Sequence, residues 1–237
     1  MEKILEIKGL RGGYVPQLEI LQGIDMTLER GDIVGIIGLN GCGKSTLGKA
    51  IMNMIPIREG VICYKRKSVQ GLSTNMIARK GISIMQQGGQ VFGTMSVWEN
   101  LQLAFGNHND AGYIEKLKGI VPLLAVPCEI LKRKMADKLS GGQRHQLALA
   151  MALASKPDLV ILDEPSAGLS PHSVDEMYAI LAKLHSELGL TILLIEQNIA
   201  KALEFCHRSY LLAQGSIAHE FKDDEIKEVE KIMFNKR

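Results

Sequence analysis

Four short stretches of this chain are apolar at nearly every position: IVGII (33–37), ISIM (82–85), LVIL (159–162) and TILLI (191–195). A strand with one face in water alternates apolar and polar residues, so runs of this kind predict strands covered on both faces. Helix-like segments separate them. KSTLGKAIMNMI runs toward Pro56, GGQRHQLALAMALAS runs to Lys156-Pro157, and SVDEMYAILAKLHSEL stops at Gly189, with Ser170 or Ser173 placed to cap its start. Strands alternating with helices predict an α/β fold with a mostly parallel sheet. Near the N-terminus, LEIKGL and GIDMTLERGD read as antiparallel β instead.

The segment from about 88 to 140 breaks this rhythm. It has glycines at 88, 89 and 93, then the helical patterns MSVWENLQLAF and AGYIEKLKGIVPLL, and no buried strand. It is expected to be a helical lobe inserted into the α/β core. The tail KDDEIKEVEKIMFNKR reads as a charged, solvated helix.

Composition narrows the class only a little. The 237 residues suffice for one large domain, or a core with a smaller lobe, and 46% hydrophobic with 23% charged residues is ordinary for a globular chain. A formal net charge of +2 gives no ground for a nucleic-acid partner. Cys42, Cys63, Cys128 and Cys206 are scattered with no CxxC pair, which predicts reduced thiols rather than a disulfide or metal framework. MEKILEIKGL carries charges where a secretory signal needs an apolar stretch, and no apolar run approaches bilayer length. A cytosolic chain is expected.

The chemistry begins where IVGII ends. GLNGCGKST, from Gly38 to Thr46, fits GxxxxGK[ST], with Gly41 an additional glycine within the loop. Glycines let the backbone curl around phosphate oxygens with its N–H groups inward, and a helix starting near Lys44 adds the positive end of its dipole. Lys44 would reach the β and γ phosphates and the Ser45 hydroxyl would ligate Mg²⁺. LVILDEP ends a second buried run in two adjacent carboxylates, where α/β folds place ligand chemistry. Asp163 would hold the metal, and Glu164 would orient or deprotonate an attacking water. LSGGQ (139–143) opens a helix with bare backbone N–H groups and a hydroxyl, a second anion-binding end. Two such ends far apart on one subunit would meet only across a two-fold axis.

With these motifs in this order, the chain resembles the ATP-binding subunits of ABC transporters over essentially its whole length. GLNGCGKST looks like Walker A, LVILDE like Walker B and LSGGQ like the family signature. The resemblance implies a P-loop NTPase core, 1–87 and 157–237, with a helical subdomain at about 88–156. It implies that Gly38, Asn40, Gly41, Cys42, Gly43, Lys44, Ser45 and Thr46 hold ATP, that Tyr14 stacks on adenine, and that Gln87 senses Mg²⁺ and the γ-phosphate. Gln86 leaves that last register open by one residue. Metal ligands would be Ser45, Gln87 and Asp163; catalytic groups would be Glu164, Gln197 and Lys44. Two subunits, identical or paralogous, would sandwich two ATP molecules, with Ser140 and Gly142 of each on the nucleotide of the other. Transmembrane permease subunits and a substrate-binding protein are the further partners implied, on the inner face of the cell membrane.

Two positions depart from the general family pattern. Gln197, in LLIEQN, stands where a switch histidine is usual, and Ser170, in SAGLSP, replaces an aspartate. Glutamine can hydrogen-bond a γ-phosphate but carries no proton or charge, which shifts the base role to Glu164. EQN and GLSP look like the branched-chain amino-acid subgroup of importer ATPases. A lipopolysaccharide-export type and a stand-alone ABC ATPase are the alternatives. A metabolic P-loop kinase would have no use for LSGGQ, and no heptad run separates Lys44 from Asp163 as in coiled-coil chromosome ATPases.

Overall fold

A computed structural model describes residues 2–15, 18–106, 110–222 and 225; apart from Lys222 and Glu225, the helix expected in the tail lies outside the described residues. In chain order the elements are β1 (Lys3–Gly12), β2 (Leu21–Glu29), β3 (Ile33–Ile37), α1 (Lys44–Ile51), β4 (Ile57–Tyr64), β5 (Lys67–Ser68), α2 (Thr74–Arg79) and β6 (Ile82–Met85). There follow α3 (Val97–Phe105), α4 (Ala111–Ile120), α5 (Cys128–Arg133), α6 (Gly141–Leu153), β7 (Leu159–Asp163) and α7 (Pro171–Leu188). The last are β8 (Thr191–Glu196), α8 (Ile199–Phe205), β9 (Arg208–Ala213) and β10 (Ser216–Lys222). The chain divides into two compact units, residues 1–77 with 191–237, and residues 78–190.

In the first unit β3 pairs in parallel with β8 on one side and β9 on the other, and all five of its residues are buried. Burial of residues on both of its faces is why its sequence shows no polar alternation. α1 packs on β8, and α8 packs on β3, β8 and β9, while β10 closes the edge antiparallel to β9. A second sheet, ordered β2-β1-β4-β5, is antiparallel throughout. Arg208 joins the two: its guanidinium donates to the Thr27 carbonyl at 2.6 Å, to Asp32 Oδ2 at 3.0 Å and to Glu220 Oε1 at 3.0 Å.

The helix after the glycine loop stops short of Pro56, at Ile51. Asn53 is left-handed (φ +52); its N–H donates to Ala50 O and that of Met54 to Lys49 O, the paired bonds of a Schellman ending. The Asn53 amide is in turn held by the carbonyls of Val69 and Leu72, at 2.8 and 3.0 Å, which fixes the stop.

In the second unit β6 and β7 pair in parallel, from Ile82↔Leu159 to Met85↔Leu162, and α6 packs on β6. Between residues 88 and 140 the described residues hold helices and a single bridge, Ser96↔Met135, but no strand. α3 starts in a capping box between Ser96 and Glu99, and buried Asn100 bonds both backbone groups of Phe92. The pattern AGYIEKLKGIVPLL breaks at Val121, because Pro122 restricts the residue before it; 122–125 continue as a 3₁₀ turn. α7 is capped by Ser170 and ends at Gly189, left-handed at φ +64.

Candidate active site

In the first unit, the chain leaving β3 turns through Gly38, Gly41 and Gly43, at φ +155, +78 and +109. A Cβ on Gly38 would lie 2.3 Å from the carbonyl oxygen of Leu212, so the strand end has no room for a side chain. Gly41 has nothing within 4 Å; only its backbone conformation demands glycine. Gly43 is the N-cap of α1 and makes no side-chain cap hydrogen bond, so the positive end of the helix faces the loop. Lys44 is buried and its ammonium curls back onto the loop, donating to the carbonyls of Gly38 at 2.9 Å and Leu39 at 3.1 Å. The loop thus holds a cation over its own concavity. Asn40 and Gly41 are exposed, Cys42 and Ser45 half-buried, and Thr46 buried. Burial pushes the Cys42 thiol up, against the pull of the Lys44 charge.

Tyr14 stands about half exposed beside α1, its hydroxyl accepting from Lys49 Nζ at 3.4 Å. Gln197 follows β8, whose last residue, Glu196, is in register with Ile37. The Gln197 side chain is exposed, while its backbone N–H and that of Asn198 donate to Oε2 of buried Glu196 at 3.1 and 3.4 Å. The sequence reading missed Glu196. A carboxylate closing an otherwise apolar strand was its only signal.

In the second unit, Asp163 (2% exposed) ends β7 and Glu164 (7% exposed) follows it. Glu164 has φ +50, a region that L-residues other than glycine enter at a cost, and such strain gathers at functional sites. Its Oε2 accepts from Gln87 Nε2 at 2.5 Å. Gln86, half-buried, lines a separate groove with Met85, Phe92, Ala148 and Met151. Of the two adjacent glutamines, Gln87 is the one that reaches the carboxylate.

Ser140 is exposed at the head of α6. It forms a capping box with Gln143: the Ser140 hydroxyl accepts from the Gln143 N–H, and the Gln143 side chain accepts from the Ser140 N–H, both at 3.3 Å. Gly142 faces α7, where a Cβ would lie 3.0 Å from Ser173 Oγ. Ser170, which stands where the family pattern has aspartate, keeps a capping role by accepting from Ser173 N–H at 3.3 Å. His145, also unforeseen, is buried on α6 with Nδ1 2.8 Å from the Pro165 carbonyl oxygen. One polar residue ahead of the apolar face QLALAMAL was its trace in the sequence.

A strand–glycine loop–helix carrying a buried lysine defines a P-loop nucleotide-binding fold. Residues 21–167 match the ABC transporter family model, and the chain belongs to that family. It is an ATPase subunit of the ABC transporter type. A probable branched-chain amino acid transport ATP-binding protein from Archaeoglobus fulgidus is 34% identical over 94% of this chain and 93% of its own. The lipopolysaccharide export system ATP-binding protein of Escherichia coli is 31% identical over 91% and 89%. Among solved structures, the ADP conformation of MJ1267, an ATP-binding cassette of an ABC transporter, superposes with a TM-score of 0.81 at 27% identity, covering 97% of this chain and 95% of that one. Among the described residues no helix is long and apolar enough to cross a membrane.

Proposed function

We propose that this chain hydrolyses ATP to drive amino-acid import through separate membrane-spanning subunits. Residues 1–87 and 157–237 form its nucleotide core, and 88–156 a helical lobe that meets the permease. The observation that carries the catalytic part is the Gln87–Glu164 contact: a buried, strained carboxylate at a strand end with an amide aimed at it. Glu164 serves as the base that takes a proton from the attacking water, and Gln87 orients it. Gly38 to Thr46 cradle the phosphates, Lys44 offsets the charge that spreads over the transferring phosphoryl group, and Tyr14 stacks on adenine. Gln197 hydrogen-bonds the γ-phosphate in place of a histidine.

The Ser45 hydroxyl, the Asp163 carboxylate and the Gln87 amide are hard oxygen donors and fit Mg²⁺, which binds through few protein ligands together with substrate phosphates. When bound, the ion neutralises charge on the phosphate oxygens. Ser140 and Gly142 contact the nucleotide of a second subunit, so two ATP molecules join two cassettes and hydrolysis releases them. The assembly works at the cytoplasmic face of the membrane, with a substrate-binding protein delivering the cargo.

Amino-acid import is supported by GLSP and EQN around Ser170 and Gln197 and by the branched-chain amino acid relative. The 31% identity to a lipopolysaccharide exporter subunit favours export as the second reading. Co-purification with its permease, followed by ATPase assay in vesicles with amino acid outside or lipopolysaccharide inside, separates them; stimulation by neither, or no permease recovered, would leave a stand-alone ATPase. For the catalytic part, Glu164→Gln is expected to keep ATP affinity, nearly abolish turnover and accumulate an ATP-bound dimer on gel filtration. A monomeric variant with ATP and Mg²⁺ would refute the sandwich. Lys44→Ala is expected to lose nucleotide affinity by calorimetry, and unchanged binding would remove this loop from the site.

A further inference from the structure

His145 is 4% exposed, and its burial is tight on two sides. On one, Nδ1 lies 2.8 Å from the Pro165 carbonyl oxygen. A carbonyl only accepts, so Nδ1 carries the hydrogen and the tautomer is set. On the other side lies Gly89, left-handed at φ +59. A Cβ there would sit 2.3 Å from His145 Cδ2, 3.1 Å from Nε2 and 3.3 Å from Cα, so the ring rests directly on the Gly89 backbone.

These two backbones carry the proposed catalytic pair. Pro165 follows Glu164, and Gly89 is two residues past Gln87, whose amide meets Glu164 at 2.5 Å. The contacts close a ring: signature helix, His145, Pro165, Glu164, Gln87, Gly89 and back to His145. A buried imidazole N–H needs a partner, and here that partner is the carbonyl next to Glu164. A left-handed glutamate needs its neighbours to hold it there.

We propose that His145 is a positioning residue for ATP hydrolysis: by donating to the Pro165 carbonyl while seated on Gly89, it holds Glu164 and Gln87 in register with the signature helix. It acts through Pro165 and Gly89 and not on the reacting atoms. The inference rests on the reading of Glu164 as the base.

Three substitutions separate a donor role from a packing role. In His145→Asn the amide nitrogen takes the place of Nδ1 and keeps the bond to Pro165. In His145→Gln the amide nitrogen extends toward the Nε2 position and leaves that carbonyl without its donor. His145→Leu fills much of the space with no donor at all. Each purified variant is assayed for phosphate release across ATP concentration, with nucleotide affinity measured separately. The expected result is turnover in His145→Asn within about threefold of wild type, and a fall of about tenfold or more in the other two, with KM and ATP affinity changed less than twofold; a lost hydrogen bond of roughly 1.4 kcal/mol corresponds to that tenfold.

Wild-type turnover in His145→Leu, or equal losses in all three variants, would overturn the inference. Should His145→Leu not fold, the His145→Asn and His145→Gln pair decides alone. Glu164→Gln is assayed alongside: an inactive Glu164→Gln beside a flat His145 series rejects only the positioning role, whereas an active Glu164→Gln rejects the base and this inference together.

Discussion

The side-chain amide of Gln87 and the carboxylate of Glu164 meet at 2.5 Å because β6 and β7 are in parallel register. Met85 pairs with Leu162, so each of these two residues lies two positions past the last paired one and both emerge at the same level. The contact is therefore built by strand pairing. It selects Gln87 over Gln86, whose neighbours are apolar groups of a different groove.

Removing that amide tests its part in turnover. Gln87→Ala is expected to lower kcat by about tenfold to a hundredfold, the range for one hydrogen bond to a charged group. Because the two residues act as a unit, Gln87→Ala combined with Glu164→Gln is expected to be no slower than Glu164→Gln alone. Steady-state phosphate release for the three variants checks this. Additive losses would show that the amide and the carboxylate act separately.

Two glycines of the phosphate loop are expected to respond differently to a methyl group. At Gly38 the added Cβ would press on the Leu212 carbonyl at 2.3 Å, a main-chain atom that cannot swing aside. At Gly41 it meets nothing within 4 Å, and only the left-handed φ of +78 opposes it. Overpacking costs about 1–3 kcal/mol, which lowers Tm by roughly 2–4 °C per kcal/mol in a chain of this size. Gly41→Ala should cost no more than about 1–2 kcal/mol, the ordinary penalty of a left-handed alanine. Thermal melts of the two nucleotide-free variants compare them, and equal losses would contradict the packing account.

How much of this was legible depended on how locally each feature is encoded. The four largely apolar runs became β3, β6, β7 and β8 because strands buried on both faces show little polar alternation to blur the signal. β4 is mostly exposed and interrupted by Gly60 at φ +85, so IREGVICY gave no periodicity to read. Its turn into β5 places Lys65 and Arg66 at positive φ, where Asn-Gly is the recognisable choice. β9 and β10 were missed for a similar reason, since Gln214-Gly215 is a weak turn signal. The motif residues were visible as a linear pattern. Their partners were not: Pro165, Gly89 and Glu196 matter through contacts made by main-chain geometry.

Acidification should expose the burial of His145. Desolvation, with the Arg144 charge behind it, holds this imidazole below its ordinary value of 6.5, and the Pro165 bond only partly opposes them. A histidine depressed in the folded state binds its proton more readily when unfolded. Its contribution is therefore intact above the unfolded value and is lost as pH falls from there through the folded one. The Tm of wild type should decline below about pH 6.5 more steeply than that of His145→Asn, which keeps the Pro165 bond and cannot titrate. All other groups are common to both proteins, so the difference between the two melting curves isolates His145. Parallel curves down to pH 5 would mean that the folded protein takes up this proton as readily as the unfolded chain, so that burial does not hold the imidazole down.

Ser140 serves one purpose in the isolated chain and a second in the proposed dimer, and charge separates them. Its hydroxyl caps α6 by accepting from the Gln143 N–H, a role aspartate performs as well. Ser140→Ala should cost about 0.5–2 kcal/mol of stability through the lost cap. Ser140→Asp should restore that stability, because a carboxylate also caps and favours the positive end of the helix. In an ATP sandwich the same carboxylate would face the γ-phosphate of the partner-bound nucleotide and repel it. The expected pattern is thus a split: Ser140→Asp melts like wild type yet forms no ATP-dependent dimer in a Glu164→Gln background, while Ser140→Ala melts lower and dimerises weakly. Light scattering with ATP and Mg²⁺ reads the dimer, and calorimetry reads the melt. A Ser140→Asp protein that dimerises as well as its parent would place the head of α6 away from any phosphate and leave the cap as its whole function.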